Sequence, residues 1–395
     1  MAQKDKSQSA LSWLFAPLEE MDSYRKLEES LKKPGTYMVC GLDDTQRLHV
    51  LAGLARKTGR MLLMVTATDQ LAQYAADDLT TFLGGKVSIF PSREISFHRV
   101  AAASSDLAVR RIEALGAAAS GALNAMIAPV DALLYPLMPP SVFKANVIFL
   151  KEGMQIEPAD LIERLISAGY ERVDVVEARG QCALRGGIVD IFPVGRAGAL
   201  RLEFFDDELD SLRDFDPLSQ RSISRVTGAV ILPAHEALLT REQAAAAADR
   251  LEAALAKASE HAGPSHQERI EAMFDLPPWE EFTREADEMD ELPSLEDMSE
   301  TAPAQDGSVL QALSRSELEN QFKPRIDALR NNGTCTAIES LMPFLYEKTA
   351  LVTDYLSNAI VVLDQPDRLR NRCENRQMEF EEQFKVALER DSAPP

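Results

Sequence analysis

The chain has 395 residues, of which 45% are hydrophobic, and its formal net charge at pH 7 is −21. This length exceeds what one ordinary hydrophobic core accommodates and predicts two or three domains. The excess of acidic residues indicates that the surface as a whole repels nucleic acid, because phosphate binding depends on clustered Lys and Arg. Any contact with DNA therefore needs a local basic patch.

The cysteines and histidines exclude several kinds of chemistry. The five histidines show no His-Glu-x-x-His spacing, and the chain contains no Gly-x-Ser-x-Gly sequence. The four cysteines form no Cys-x-x-Cys pair, which predicts reduced thiols rather than a zinc site or a disulfide framework. They are Cys40, Cys182, Cys335 and Cys373. The sequence thus predicts no catalytic residue, no metal and no cofactor.

No targeting or membrane segment is expected. Residues 1–15 lack the long apolar core of a signal peptide. No stretch reaches the ~18 consecutive apolar residues of a membrane span. We therefore expect a cytoplasmic protein without membrane association.

Strand-like and helical patterns alternate in the first third of the chain. Apolar runs predict strands at residues 36–42, 60–69, 86–90 and 122–130, and the stretches between them predict helices at 46–57, 69–82 and 106–115. This alternation is typical of a doubly wound α/β domain with a mostly parallel sheet. The run at 60–69 does not alternate, as expected of a strand buried on both faces.

A different pattern begins near residue 146. Residues 146–169 predict a strand and a helix that ends at Gly169, and residues 169–210 predict three strands separated by turns. The turn after the last of these strands carries Asp206, Asp207 and Glu208. Residues 225–238 are interpreted as a strand that returns to the first domain. The economical interpretation is a small α+β domain inserted into the α/β domain.

The second half of the chain is predicted to be largely helical. Residues 241–262 are rich in Ala, which favours a helix. Residues 281–306 hold ten acidic residues and a single Arg284, which is typical of a solvated loop. Residues 335–366 predict a helix followed by a buried strand at 359–363. A charged helix follows at 368–390.

Two motifs in the insert resemble a known family. They are Arg-Gly-Gly-Ile-Val-Asp-Ile-Phe-Pro-Val-Gly at 185–195 and Arg-Leu-Glu-Phe-Phe-Asp-Asp-Glu at 201–208. This block resembles the partner-binding insert shared by the B subunit of the bacterial nucleotide-excision repair nuclease and the transcription-repair coupling factor. Residues 335–366 also resemble the coupling-factor family, and the resemblance extends over about 36–384.

The resemblance implies a domain organisation. The expected fold is a degenerate P-loop or RecA-like α/β domain that is interrupted by the insert. Residues 1–148 would form its first half, 149–232 the insert that binds the A subunit of the excision nuclease, and 233–390 its second half, with helical and acidic segments.

The position of a P-loop does not carry the residues that bind nucleotide. A working loop reads Gly-x-x-x-x-Gly-Lys-Ser/Thr, in which backbone N–H groups and Lys hold phosphate and the hydroxyl group holds Mg²⁺. Here the loop begins at Gly41, and Gln46, Arg47 and Leu48 replace its last three key residues. Asp44, with Asp43 beside it, adds negative charge where phosphate would lie. We therefore predict a loop that does not function in nucleotide binding.

Two further departures favour the coupling factor over the nuclease subunit. The acidic box that organises Mg²⁺ in the nuclease subunit is reduced to Asp364-Gln-Pro-Asp. The aromatic-rich DNA-binding hairpin of that subunit is replaced by residues 90–115, where Phe97 and His98 are the ring side chains after Phe90. Single-strand binding needs stacking platforms in a basic groove. A solvated helix face is the competing interpretation of the four arginines in this segment.

The resemblance places the partner-binding residues in the insert. Arg172 and Arg185 match family arginines, and Gly186, Asp190 and Phe192 belong to the same motif. A third arginine of the nuclease subunit corresponds to Ala183. Arginine suits such an interface because its planar group makes bidentate bonds to carboxylates. Two alternatives remain open: the arginines could pair internally with Glu177 or Glu203, and Phe192 could be a core residue of the small sheet.

Together with the missing nucleotide-binding residues, the resemblance implies a recruitment module without catalytic activity. It would bind the damage-sensing A subunit and deliver it to stalled RNA polymerase. RNA polymerase and double-stranded DNA would be bound by other regions of the full-length family protein, whose motor motifs do not occur in this chain. The alternative is a divergent P-loop ATPase or helicase half that binds DNA, which Gly41 and the α/β pattern favour.

Overall fold

The computed structural model describes residues 12–93, 105–260 and 315–391. The described residues divide into two compact units, one drawn from 1–240 and 339–378 and the other from 241–338 and 379–395. The acidic stretch 281–306 lies outside the described residues, as do Phe97 and His98.

In the described part of the chain, strands and helices are interspersed up to residue 167, and a run of strands without helices covers 171–231. The strands are β1 Leu62–Thr66, β2 Val87–Ile89, β3 Ala125–Pro129, β4 Ile148–Lys151, β5 Glu171–Arg172, β6 Gln181–Arg185, β7 Ile188–Ile191, β8 Ala199–Phe205, β9 Glu208–Asp216, β10 Arg221–Val226, β11 Gly228–Ile231 and β12 Ile360–Leu363. The α-helices are α1 Ser12–Glu20, α2 Asp22–Ser30, α3 Asp44–Thr58, α4 Asp69–Leu83, α5 Ser105–Ala119, α6 Val130–Leu133, α7 Pro140–Ala145, α8 Pro158–Ser167, α9 Arg241–Glu260, α10 Arg315–Asn332, α11 Met342–Leu345 and α12 Pro366–Asp391.

A parallel sheet forms the centre of the first unit. Its strand order is β12-β1-β3-β2, and all its pairs are parallel. Every residue of β1 and β3 is buried, as predicted for strands covered on both faces. Helices α3 and α4 begin at side-chain caps, Asp43 and Thr68, which accept hydrogen bonds from first-turn N–H groups. The predicted α/β fold with a parallel sheet is confirmed.

Two predictions about this sheet are wrong. Residues 36–42 do not form a strand, and the side chains of Met38 and Val39 are exposed. Instead of joining the sheet, Tyr37 turns back to the end of α2 and donates its hydroxyl hydrogen bond to the carbonyl of Ser30 at 2.8 Å. As a result β12 is an edge strand rather than a buried one, and Val361 and Leu363 are 52% and 56% exposed.

The insert is a six-stranded sheet in the order β10-β9-β8-β7-β6-β5, antiparallel except for the β5–β6 pair. Its inner face packs against α8 and the ribbon formed by β4 and β11. Residues 225–238 were predicted to be a strand that returns to the first domain. Their strand β11 pairs with β4 inside the insert, and only the chain after it reaches the α/β part, where Glu236 contacts Arg111. Ile148 lies opposite Ile231, so the chain enters and leaves the insert side by side.

A buried ion pair joins the α/β part to the chain that leaves the insert. Arg111 on α5 is 1% exposed, and its Nε donates to Glu236 at 2.8 Å. Arg93 binds the same carboxylate, and the ring of Phe90 lies 4.1 Å from the Arg111 guanidinium carbon. Burial lowers the pKa of Arg111, and Glu236 opposes this shift. The pair therefore anchors the insert to α5.

The second unit contains the predicted Ala-rich helix. Helix α9 covers Arg241–Glu260, and α10 packs against it. Arg330 on α10 donates to Asp249 on α9 at 2.7 Å, and it also contacts Glu252. No helix in the described ranges is both long enough and apolar enough to cross a membrane.

Candidate functional site

In the loop that was predicted not to bind nucleotide, the side chains bind one another and the start of α3. Gly41 has a φ of +81°, which leads the chain into a turn before α3. The carboxylate of Asp43 accepts the backbone N–H of Gln46 at 2.8 Å, and the side chain of Gln46 accepts the N–H of Asp43 at 3.3 Å. This capping box uses N–H groups at the helix start that a phosphate would need.

The remaining residues of the loop bind each other or the core. Arg47 donates to Asp44 at 2.8 Å, and its Nε lies 2.9 Å from Oδ1 of Asp364 at the end of β12. Leu48 is 5% exposed and belongs to the hydrophobic core. Burial raises the pKa of Asp364, and the charge of Arg47 opposes that shift. The guanidinium group of Arg47 and the carboxylate of Asp364 thus face each other.

The outer face of the insert sheet carries a row of charged side chains. The strand register places Asp190 opposite Arg201, Arg201 opposite Arg213, and Arg213 opposite Arg225. Arg185 lies on the same face, since Leu184 between it and Ala183 packs into the inner core. We call the surface formed by Arg185, Asp190, Arg201 and Arg213 the arginine face.

Asp190 is the centre of the arginine face. Its side chain is 1% exposed and accepts hydrogen bonds from Nε and Nη2 of Arg201 at 2.7 and 2.9 Å. It also accepts a hydrogen bond from Arg185. Hydrogen bonding to Asp190 raises the pKa of Arg201. The alternative that Arg185 pairs internally holds, but its partner is Asp190 and not Glu177 or Glu203.

Arg172 lies apart from this cluster. In the register it pairs with Cys182, whose side chain is in the inner core. Burial raises the pKa of the Cys182 thiol to about 11, and the positive charge of Arg172 partly opposes this rise. Arg172 is exposed and forms no ion pair with another described residue. The structure therefore does not place the two predicted arginines on one face.

The other predicted residues shape the surface around the arginine face. Gly186 has a φ of +61° and forms the tight turn between β6 and β7 together with Gly187. Phe192 is partly buried against a small apolar cluster that contains Val176 and Ala183. Ala183, at the position of the family's third arginine, is 1% exposed. Phe192 thus packs in the small sheet and still presents part of its ring to solvent.

Sequence reasoning missed Arg201 and Arg213. Both alternate with buried residues along their strands, Leu200 and Leu202 around Arg201 and Leu212 beside Arg213. A strict two-residue alternation would have placed them with Arg185. The turn at Asp206 was predicted correctly: it joins β8 to β9, and Asp206 has a φ of +58°. In the parts of the chain that the structure describes, no group of three His, Cys, Asp or Glu side chains could hold a metal ion.

These features define an α/β protein with an antiparallel, arginine-bearing insert. Residues 148–236 match the family described as "UvrB interaction domain", and this range coincides with the insert from β4 to the chain after β11. The motif-based prediction of a domain shared with the excision nuclease B subunit is thereby confirmed.

Several curated proteins named transcription-repair-coupling factor are similar to this chain. The Bacillus subtilis protein is 34% identical over 244 residues, which is 60% of this chain and 20% of that protein. A Staphylococcus aureus protein is 30% identical over 227 residues, covering 57% of this chain and 19% of that protein. A Staphylococcus epidermidis protein is 25% identical over 367 residues, covering 92% of this chain and 27% of that protein.

The chain therefore spans about a fifth to a quarter of the length of these relatives. It is similar to the N-terminal region of transcription-repair coupling factors, and the resemblance predicted from its motifs is confirmed.

Proposed function

We propose that this chain is the non-catalytic recruitment module of a transcription-repair coupling factor. It binds the damage-sensing A subunit of the excision nuclease through the insert and delivers it to stalled RNA polymerase. The observation that carries this proposal is the coincidence of the UvrB interaction domain, residues 148–236, with the sheet that bears the arginine face.

The domain boundaries belong to the same proposal. Residues 149–232 are the A-subunit-binding insert, and 1–148 with 233–390 are the two halves of an α/β domain derived from a P-loop fold. RNA polymerase and double-stranded DNA are bound by parts of the longer protein beyond this chain. The relatives' greater length leaves room for such regions.

The chemistry of the arginine face fits an acidic partner. Arg185 and Arg213 are 45% and 43% exposed, while the neighbouring Asp190 is buried. Glu203 is 37% exposed and lies 3.7 Å from Arg213, so the accessible positive charge without an exposed carboxylate partner is that of Arg185, although the chain as a whole has a net charge of −21. A positive patch on an acidic protein selects a partner with a complementary acidic patch and disfavours nonspecific contacts.

The alternative of an ATPase or helicase half has less support. Asp43 caps the helix start where phosphate would bind, and Arg47 faces Asp364. A nucleotide would have to displace both contacts and would meet the carboxylate of Asp44 as well. The parallel α/β sheet and the turn at Gly41 are the observations that remain in its favour.

The direct test is a titration of the chain with the purified A subunit of the same organism. We expect a defined complex whose affinity falls as salt increases, because the contacts are between charges. Absence of a complex at about 10⁻⁵ M of each protein, a concentration that detects even weak complexes, would overturn the proposal. A chain that hydrolyses ATP would support the alternative instead.

A further inference from the structure

A single buried carboxylate holds two arginines on the arginine face. Asp190 is 1% exposed, so it cannot itself reach a partner. Both of its oxygens accept from Arg201, and Oδ2 also accepts from Arg185. One negative charge therefore stands between two positive charges, and the cluster retains a net positive charge.

The two arginines are held to different degrees. Arg201 is 16% exposed, and its Nη1 donates to the backbone carbonyl of Gln220 at 3.1 Å. Its guanidinium carbon lies 4.6 Å from the centre of the Phe215 ring. Arg185 is 45% exposed and makes no hydrogen bond to a described residue other than Asp190. Arg201 is thus held by contacts within the insert, whereas Arg185 has N–H groups that can donate to an external acceptor.

We propose that Asp190, braced by Arg201, is a positioning residue that presets Arg185 for a carboxylate on the A subunit. This inference rests on the proposed function. A free arginine on a surface samples many rotamers and loses that freedom on binding. Arg185 loses much of it already in the unbound protein, because Asp190 is itself immobilised by the two bonds from Arg201. Preorganisation of this kind increases affinity without adding a contact.

The charge balance favours the same role. Without the carboxylate, the guanidinium groups of Arg185 and Arg201 would repel each other. Arg185 would then turn toward solvent and away from the strand. A second aspartate on the sheet offers a comparison: Asp214 accepts from Arg196 at 2.6 Å and from Ser224 at 2.9 Å, whereas the ion-pair partner of Arg185 is Asp190.

The experiment is a double-mutant cycle measured by titration with the A subunit. It uses the full chain with Asp190→Asn, Arg185→Ala and both changes together. We expect Asp190→Asn to weaken binding about three- to tenfold, the effect of releasing one ordered side chain. In the Arg185→Ala background the same change should have no further effect on affinity. Asp214→Asn is the matched control and should leave affinity unchanged.

The outcomes separate this inference from the proposed function. If the unaltered chain fails to bind, both are overturned. If it binds and the effects of Asp190→Asn and Arg185→Ala simply add, or Asp190→Asn has no effect, only the positioning role is overturned. Thermal melts of each variant report the structural effect of Asp190 separately. Should Asp190→Asn fail to fold, Arg201→Lys weakens the hydrogen bonds to Asp190 while retaining the charge. This substitution must then lower the affinity for the A subunit in the otherwise unaltered chain but not in the Arg185→Ala chain.

Discussion

Arg47 and Asp364 face each other between the start of α3 and the end of β12. The Nε of Arg47 lies 2.9 Å from Oδ1 of Asp364, and the side chain of Asp364 is 8% exposed. The two atoms do not form a hydrogen bond, so the contact is electrostatic. It joins the first turn of α3 to the end of β12.

Breaking this pair should destabilise the protein in a pH-dependent way. Arg47→Leu leaves a buried carboxylate without its counter-ion, which should lower the free energy of unfolding by about 1–3 kcal/mol at neutral pH. Burial already raises the pKa of Asp364 in the folded protein, and loss of Arg47 raises it further. The folded variant therefore binds a proton more tightly than the unfolded chain does.

The sign of the pH effect follows from this difference. Stability of Arg47→Leu should increase as pH falls from neutral toward the unfolded pKa of about 3.9, because protonation removes the buried charge. Urea unfolding at several pH values measures it. The double variant Arg47→Leu, Asp364→Asn should regain part of the lost free energy of unfolding. Its stability should also lack the pH dependence that protonation of Asp364 adds. A loss that is the same at every pH would contradict the account.

The chain should neither hydrolyse ATP nor bind it with micromolar affinity. The loop lacks the second glycine, the lysine and the hydroxyl, and Asp43 already occupies the helix start. Calorimetric titration with ATP and Mg²⁺ and a phosphate-release assay measure both properties. Mg²⁺-dependent turnover that disappears in Arg47→Ala would show that the loop is functional.

Residues 36–40 should exchange their amide hydrogens rapidly. The structure gives them no strand partner, and Met38 is 88% exposed. Residues of β1, which are paired on both sides and fully buried, should be protected far more strongly. Hydrogen exchange followed by mass spectrometry compares the two segments. Equal protection would mean that the segment pairs with the open edge of β12 in solution.

The behaviour of this segment shows where sequence reasoning reached its limit. The apolar run at 60–69 was predicted as a strand and contains β1, Leu62–Thr66, because burial on both faces leaves a continuous hydrophobic signal. The run at 36–42 carries a similar signal, yet Tyr37 finds partners at the end of α2. A competing hydrogen bond of this kind leaves no trace in local hydrophobicity.

The site shows the same limit at the level of side chains. The motif identified Arg185 and Asp190 as neighbours in sequence, but the contact between Asp190 and Arg201 depends on the register of β7 with β8. The placement of Arg172 beside Cys182 depends on the register of the short strand β5. Registers are decided by tertiary packing, which a single sequence does not display.

Duplex DNA should bind the isolated chain no better than nonspecifically. The net charge of −21 repels the phosphate backbone. The exposed arginines of the insert are partly compensated, as in the pairs of Arg213 with Glu203 and of Arg225 with Glu152. A gel-shift or anisotropy titration at physiological salt tests this. A Kd well below about 10⁻⁶ M, the value typical of nonspecific binding, would contradict it.

Replacement of the two predicted contact arginines should weaken association with the A subunit. Truncating one partner of a desolvated, hydrogen-bonded charge pair costs ~2–5 kcal/mol, against roughly 0–1 kcal/mol for an exposed pair. At ~1.4 kcal/mol per tenfold change, Arg172→Ala and Arg185→Ala should each reduce affinity at least about thirtyfold if the residue contacts the partner. Isothermal titration of each variant measures the loss, and a thermal melt checks the fold.

Arg164 provides a control for these affinity measurements. Arg164 lies exposed on α8, the helix that covers the inner face of the sheet, so Arg164→Ala removes a positive charge from the insert without altering the arginine face. Its affinity should stay unchanged. A loss with Arg185→Ala alone would confine the contact to the arginine face and exclude the edge strand that carries Arg172. Unchanged binding in both variants, or a loss that follows a collapse of the melting temperature, would mean that these arginines serve the fold rather than the partner.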